Sequence, residues 1–257
     1  MFNKKEYFEV NREERHFENL LMSSIIYDEI FRQHFFTLIN EKLEKDSYLC
    51  GSFDIYSEVA ILRDYWHDLS ANNKQSCELS NEYRRIICLC FENFGLCESL
   101  LDKYPLFKTN NQLCFPGKWT ITKRYKEDLL LIETLKDIQN DNFIKDNKLC
   151  RIKWAFNAKP DLLIISNHNC VIIELKLESR IGTNSNGYNQ IETQTDVACL
   201  MKKTIPIFGD MNIEHILITK KGGKSNISWQ EVLSIKDKIS NELVKIHFNE
   251  LERNFYA

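Results

Sequence analysis

The 257-residue chain carries 34 Lys/Arg against 37 Asp/Glu, a formal net charge of −3, and is 43% hydrophobic with only eight glycines and four prolines. That composition excludes a disordered, low-complexity or wholesale basic nucleic-acid-binding polypeptide and supplies enough apolar side chains for a sizeable core. The start, MFNKKEYFEVNREERHFENLL, lacks the apolar centre of a signal peptide, and no run nears the eighteen apolar residues of a membrane span, so a cytoplasmic protein without membrane contact is expected. Nine cysteines, an odd number without framework spacing, read as reduced thiols.

In residues 9–44 Val10, Phe17, Leu20, Leu21, Ile25 and Phe31 recur at helical spacing and predict an N-terminal helix packing on the core. Residues 45–148 read as a helical insertion. Its clearest elements are EYRRIICLCFENFGLCESLLDKY, ended by Pro105, and YKEDLLLIETLKDIQND, with CFPGKW as a turn between them. The character changes over 149–257. CRIKWAF alternates apolar and basic residues like a half-exposed strand, PDLLIIS and CVIIELKLE are buried-strand runs, and EHILITK is a fourth. A polar loop, SRIGTNSNGYN, and a helix, QIETQTDVACLMKK, separate the last two, and SWQEVLSIKDKISNELVKIHFNELERN closes the chain as helix. The expected fold is α/β: a mixed sheet of about four strands flanked by helices, in which a three-stranded meander crosses through a helix to its fourth strand. Residues 151–224 hold ten Lys/Arg against seven Asp/Glu, so a polyanion would be held around that segment.

The charges within KPDLLIISNHNCVIIELKLE (159–178) stand at odd places for a plain hydrophobic hairpin. Side chains on a strand alternate faces, so Val171, Ile173, Leu175 and Leu177 take one face, and Cys170, Ile172, Glu174, Lys176 and Glu178 the other. If the short SNHN turn makes the two runs an antiparallel pair, Asp161 comes close to Glu174 and Lys176. Two carboxylates and an ammonium at that spacing form a sensible metal-dependent hydrolytic site. The carboxylates would hold a hard divalent cation, Mg²⁺ or Mn²⁺, and the lysine would position a nucleophile or stabilise charge on a phosphoryl group.

Pro160-Asp161, a twelve-residue gap and then Glu174-Leu175-Lys176 resembles the signature of the PD-(D/E)XK nuclease superfamily, in the strand placement as well as the letters. The resemblance covers about 151–220 and the preceding N-terminal helix. It implies a restriction-endonuclease-like core over 149–257, with 1–44 as a helix packed on it and 45–148 as an insertion. It also implies a metal-dependent nuclease, with DNA favoured over RNA, Asp161 and Glu174 binding metal and Lys176 assisting the attacking water. Branches of the superfamily carry QxxxY on the helix after the third strand; here Gln190 and Gln194 give QxxxQ, and Gln190 is the candidate that positions metal or substrate. Many members supply an acid from the first helix. Of Glu13, Glu14 and Glu18, the first two fall within or beside the apolar arc of that helix and Glu18 at its edge, and Glu14 is the choice. Arg151, Lys153, Arg180, Lys202, Lys203, Lys220 and Lys221 are candidate phosphate contacts, and 179–189 a loop that would close over substrate. No separate sensor domain is visible. By resemblance, a protein partner or self-association would control the activity, in bacterial restriction or anti-phage defence. The alternatives are a silent nuclease-fold scaffold that binds a partner or nucleic acid, and the same site cutting RNA. The cysteines lack zinc-knuckle spacing, and the six histidines are scattered.

Overall fold

The structure is a computed structural model that describes residues 14–43, 48–71, 76–110, 112–119, 148–176, 190–219 and 226–235, with scattered positions between 238 and 249. In chain order these form α1 (Glu14–Tyr27), α2 (Glu29–Asn40), β1 (Asp54–Ser57), α3 (Ile61–Ala71), α4 (Ser76–Asn93), α5 (Leu100–Lys103), β2 (Lys108–Thr109), β3 (Gln112–Leu113), α6 (Lys148–Asn157), β4 (Leu162–Ser166), β5 (Asn169–Leu175), α7 (Gln190–Thr204), β6 (Asn212–Thr219), β7 (Asn226–Ser228) and α8 (Trp229–Leu233). The chain divides into two compact units, one of residues 1–59, 160–180 and 212–257 and the other of 60–159 and 181–211. Their boundaries therefore fall elsewhere than at 44/45 and 148/149.

The first unit is α/β and is built on a mixed sheet whose five described strands run in the order β1-β4-β5-β6-β7. β1 pairs antiparallel with β4, and β4 with β5; β6 then pairs parallel with β5, and β7 with β6. Leu162–Ser166 and Asn169–Leu175 form the expected antiparallel pair, joined by a tight turn in which Asn167 takes a positive φ of 51°, a conformation that asparagine tolerates better than most residues. At that end of the sheet the Asn169 amide donates to the Tyr48 carbonyl (2.8 Å), and Ser166 Oγ donates to the Cys50 carbonyl, which ties the segment entering β1 to the turn.

The middle of one sheet face is aliphatic. Leu162, Ile164, Val171, Ile173, Leu175, Ile216, Ile218 and Ile227 share a core with Phe17, Leu21 and Ile25 of α1, Phe31, Phe35 and Ile39 of α2, and Trp229 and Val232 of α8. Each such side chain contributes about 1.5–3 kcal/mol on burial. Eight of them outweigh the cost of a few kcal/mol per ion for burying charge on the other face.

Three expectations need correction. The N-terminal helical segment is two helices, broken at Asp28. That residue adopts an extended conformation (φ −122°, ψ 107°), and its carboxylate accepts the Phe31 N–H (2.8 Å) as the N-cap of α2. The first strand of the meander is not CRIKWAF but FDIYS, inside the segment expected to be helical: β1 pairs Asp54 with Ile165 and Ser57 with Leu162. CRIKWAF belongs to α6, where the buried positions are Leu149, Cys150, Ile152, Ala155 and Phe156. Cys150, Ile152 and Phe156 satisfy a period of two, but Leu149, Ile152 and Phe156 also satisfy i, i+3, i+7, and the helical period wins.

The second unit is mainly helical and aromatic. Trp66 stacks on Tyr83 at 4.0 Å between centroids, Phe115 meets Phe156 edge-on at 5.7 Å, and Phe107 meets Trp119 at 4.9 Å. Gly117 allows the closest approach: a Cβ there would lie 2.4 Å from the Phe115 ring and 2.6 Å from Asn157 Oδ1, and the Asn157 amide donates to the Gly117 carbonyl (2.9 Å). The EYRRIICLCF helix is α4 and the QIETQTDVACLMKK helix is α7. YKEDLLLIETLKDIQND and the 179–189 loop lie outside the described residues.

Candidate active site at the end of the sheet

The β4–β5 register decides the geometry. Leu162 pairs with Ile173, so one step back along β4 Asp161 stands opposite Glu174. Residues directly opposite on an antiparallel pair hold their Cβ atoms about 4.5–5.5 Å apart. Asp161 is clamped there twice, its carbonyl accepting the Glu58 N–H (3.1 Å) and its Oδ2 accepting the Leu175 N–H (2.6 Å). Lys176 Nζ lies 2.9 Å from Glu174 Oε1, and this pair is almost sealed, with Glu174 1% and Lys176 7% exposed. Asp161 itself is half-buried. The three residues thus occupy adjacent ends of neighbouring strands, with Glu174 on the face opposite the aliphatic core.

The backbone under Lys176 is held from both sides. Its N–H donates to the Ile218 carbonyl (2.8 Å), and its carbonyl accepts the Trp229 indole N–H (3.2 Å). The Phe17 ring packs on Trp229 at 5.9 Å between centroids, which brings α1 to the Lys176 end of the sheet. Next to Phe17, Glu18 is only 3% exposed. It is a buried acid of α1. Glu18 stands seven residues before Ile25 and three before Leu21, and that heptad relation puts it within the buried stripe. Glu14 opens α1, but its side chain lies outside the described residues, as does Glu13.

The remaining candidates divide. Gln190 and Gln194 occupy the first two turns of α7 in the second unit, half-buried and buried respectively. Arg151 is occupied: it grips Asp196 with two hydrogen bonds of 2.9 and 2.6 Å, and its guanidinium lies over the Phe94 ring at 5.0 Å. That engagement makes it a structural element of the second unit rather than a spare phosphate contact. Lys153 is half-buried on α6. Lys202 and Lys203 are exposed on the last turn of α7, Lys203 standing 4.0 Å from Glu92. Arg180, Lys220 and Lys221 lie outside the described residues.

Among the described residues no group of three or more His, Cys, Asp or Glu side chains is arranged to hold a metal ion. The pair of Asp161 and Glu174 nonetheless fits one class of cation. Mg²⁺ takes hard oxygen ligands, keeps several waters and is usually held by one or two carboxylates together with substrate phosphates, not by an all-protein cage. In comparisons with protein-family models, curated proteins and solved structures, nothing matches the chain. Among the described residues no helix is long and apolar enough to cross a membrane.

Proposed function

We propose that the protein is a metal-dependent nuclease of the PD-(D/E)XK kind, acting on DNA in preference to RNA. The observation that carries the proposal is the register that sets Asp161 opposite Glu174, with Lys176 Nζ 2.9 Å from the Glu174 carboxylate, at one end of a buried sheet. A hydrophobic pair at 174 and 176 would satisfy the fold at lower cost, since a buried ion pair rarely exceeds its apolar replacement in stability. The charges therefore point to chemistry. The antiparallel β1-β4-β5 meander, followed by a parallel β6, supports a restriction-endonuclease-like core in this reading.

In this mechanism Asp161 and Glu174 hold Mg²⁺ or Mn²⁺, with an acid from α1, Glu18 or Glu14, as a further contributor. When bound, the cation supplies Lewis acidity toward water and a phosphoryl oxygen. Leu175, through its N–H, keeps Asp161 Oδ2 fixed. Glu174 keeps the Lys176 ammonium pointed, and Lys176 donates hydrogen bonds to the attacking water or to a phosphoryl oxygen as negative charge builds on it. On the motif resemblance alone, Gln190 is the candidate to orient substrate, and Lys153, Lys202, Lys203, Arg180, Lys220 and Lys221 are the candidates to contact phosphates. Control by a protein partner or by self-association, within bacterial restriction or anti-phage defence, belongs to the same proposal and rests on the motif resemblance.

The test incubates the purified chain with plasmid, linear and single-stranded DNA and with RNA, in Mg²⁺ or Mn²⁺, beside Lys176→Ala. Cleavage by the wild type alone is expected. Equal cleavage by both proteins would sink the assignment. Cleavage by neither would favour a silent scaffold or a missing partner, and cleavage of RNA alone would move the substrate class.

A further inference from the structure

We propose that Trp229 is a positioning residue for Lys176, holding the lysine's backbone so that its ammonium stays aimed at the site; this rests on the nuclease reading above. Lys176 is the first residue past the end of β5, where a strand ladder frays most readily. Its side chain has four rotatable bonds, so the placement of Nζ depends on an anchored Cα. On one side the anchor is the Ile218 carbonyl of β6, and on the other it is the Trp229 indole N–H at 3.2 Å.

The indole is itself immobile. Trp229 is fully buried, and Phe17 packs on its ring at 5.9 Å and 56°. The residue before it, Ser228, starts α8 with a reciprocal capping box to Glu231, and Lys42 reaches Glu231 at 3.3 Å. α1, the segment after α2 and α8 thus converge on one donor, and that donor is spent on the lysine's carbonyl. Phe or Leu would fill this aliphatic core without bringing a polar atom that needs a partner. Tryptophan adds to such packing a fixed N–H, and a displacement of about 1 Å at a reacting group is enough to cost about a hundredfold in rate.

The test replaces Trp229 with 3-benzothienylalanine, which keeps the bicyclic shape and exchanges the N–H for sulfur. The expected result is a roughly tenfold fall in kcat with KM unchanged, and a roughly tenfold faster amide exchange at Lys176 while mid-strand Ile172 keeps its wild-type protection. Trp229→Phe should reproduce both effects with a larger fall in Tm. Phe17→Leu thins the packing but leaves the donor, so it should lower Tm with much smaller effects on kcat and on the exchange at Lys176 than the isostere. Wild-type kcat and exchange in the isostere protein would overturn the proposal, as would equal acceleration at Lys176 by Phe17→Leu. If the wild type itself cleaves nothing, kcat cannot be compared, and exchange at Lys176 alone then decides whether Trp229 braces the strand end.

Discussion

Each unit buries a carboxylate beside a basic side chain, and the two pairs are built differently. In the second unit Arg151 closes on Asp196 with a two-pronged grip and lies over Phe94, so the fork of the guanidinium is matched to the fork of the carboxylate. In the first unit Lys176 meets Glu174 as a point charge at 2.9 Å, with Asp161 opposite across the register. Arginine in a bidentate grip is committed to its partner and serves architecture. A lysine ammonium keeps rotatable donors that can be shared with a water or a phosphoryl oxygen, and the second carboxylate gives a cation two oxygen donors instead of one. The same ingredients, differently arranged, give a clasp in one unit and a candidate reaction centre in the other.

The contrast breaks most sharply at Glu174 and Lys176. Glu174→Gln and Lys176→Ala are each expected to reduce cleavage by at least about a hundredfold, measured as kcat on the best substrate. Each also leaves its partner buried without its counter-charge, at about 3–5 kcal/mol in denaturant unfolding. Replacing both residues with leucine should recover most of that stability and none of the activity. Recovered activity in the double variant would end the catalytic reading. Loss of stability well beyond either single variant would instead make the pair a structural necessity. Arg151→Met, by comparison, should cost less, about 1–3 kcal/mol, because Asp196 can escape its burial by taking up a proton. A raised KM with unchanged stability would return Arg151 to the phosphate contacts.

A finer cut separates the two jobs of Asp161. Asp161→Asn keeps an oxygen for the Leu175 N–H and gives up the charge, so cleavage should be lost while unfolding changes by no more than about 1 kcal/mol. Asp161→Ala removes both and adds about 1–3 kcal/mol for the stranded N–H. If the two variants are equally destabilised, the 2.6 Å hydrogen bond contributes nothing, and the clamp on the carboxylate is not what places it.

These three residues were legible because their signal is local. A Pro-Asp entry, a short polar turn and a period-two run are all contained in twenty residues, and pairing follows from the turn. β1 was not legible in that way. It has four residues, and its partner lies about a hundred positions away, so only tertiary pairing distinguishes FDIYS from the helical sequence around it. CRIKWAF failed for another reason: its apolar positions satisfy both periods, and burial against the aromatic cluster of the second unit selects the helix. The break at Asp28 was hidden because an acid inside an apolar repeat looks like an exposed helical position until its carboxylate is seen on the Phe31 N–H. Glu18 shows the converse, a charge on the buried stripe that the heptad relation to Ile25 would have picked out.

Asp28 makes a smaller prediction within the first unit. Its Oδ1 caps α2, and its Oδ2 accepts the Asn241 N–H at 2.8 Å, so one carboxylate ties the helix start to a segment late in the chain. Asp28→Ala should cost about 0.5–2 kcal/mol in urea unfolding, the usual range for a lost cap. Asp28→Asn, which keeps an acceptor for the cap, should cost less, and equal costs would mean that charge rather than hydrogen bonding holds the junction.

The smallest effect is in pH, and there the two units should move in opposite directions. Hydrogen bonding to the Ser228 backbone N–H, helped by the Ser228 hydroxyl and Lys42, holds the Glu231 carboxyl below its ordinary value of 4.5. A group whose folded pKa is depressed gives its full stabilisation above the unfolded value and loses it as the pH falls through the folded one. The capping box of α8 should therefore begin to weaken below about pH 4.5. Burial pushes Asp196 above its ordinary 3.8, outweighing the pull of Arg151. Its ionised form accordingly costs stability at neutral pH, and that cost is relieved as the pH falls through its raised folded value. Carboxyl carbon shifts followed by NMR should show Asp196 titrating above its ordinary 3.8 and Glu231 below its ordinary 4.5. An Asp196 midpoint below 3.8 would mean that the Arg151 clasp outweighs desolvation, and that the buried charge stabilises the second unit.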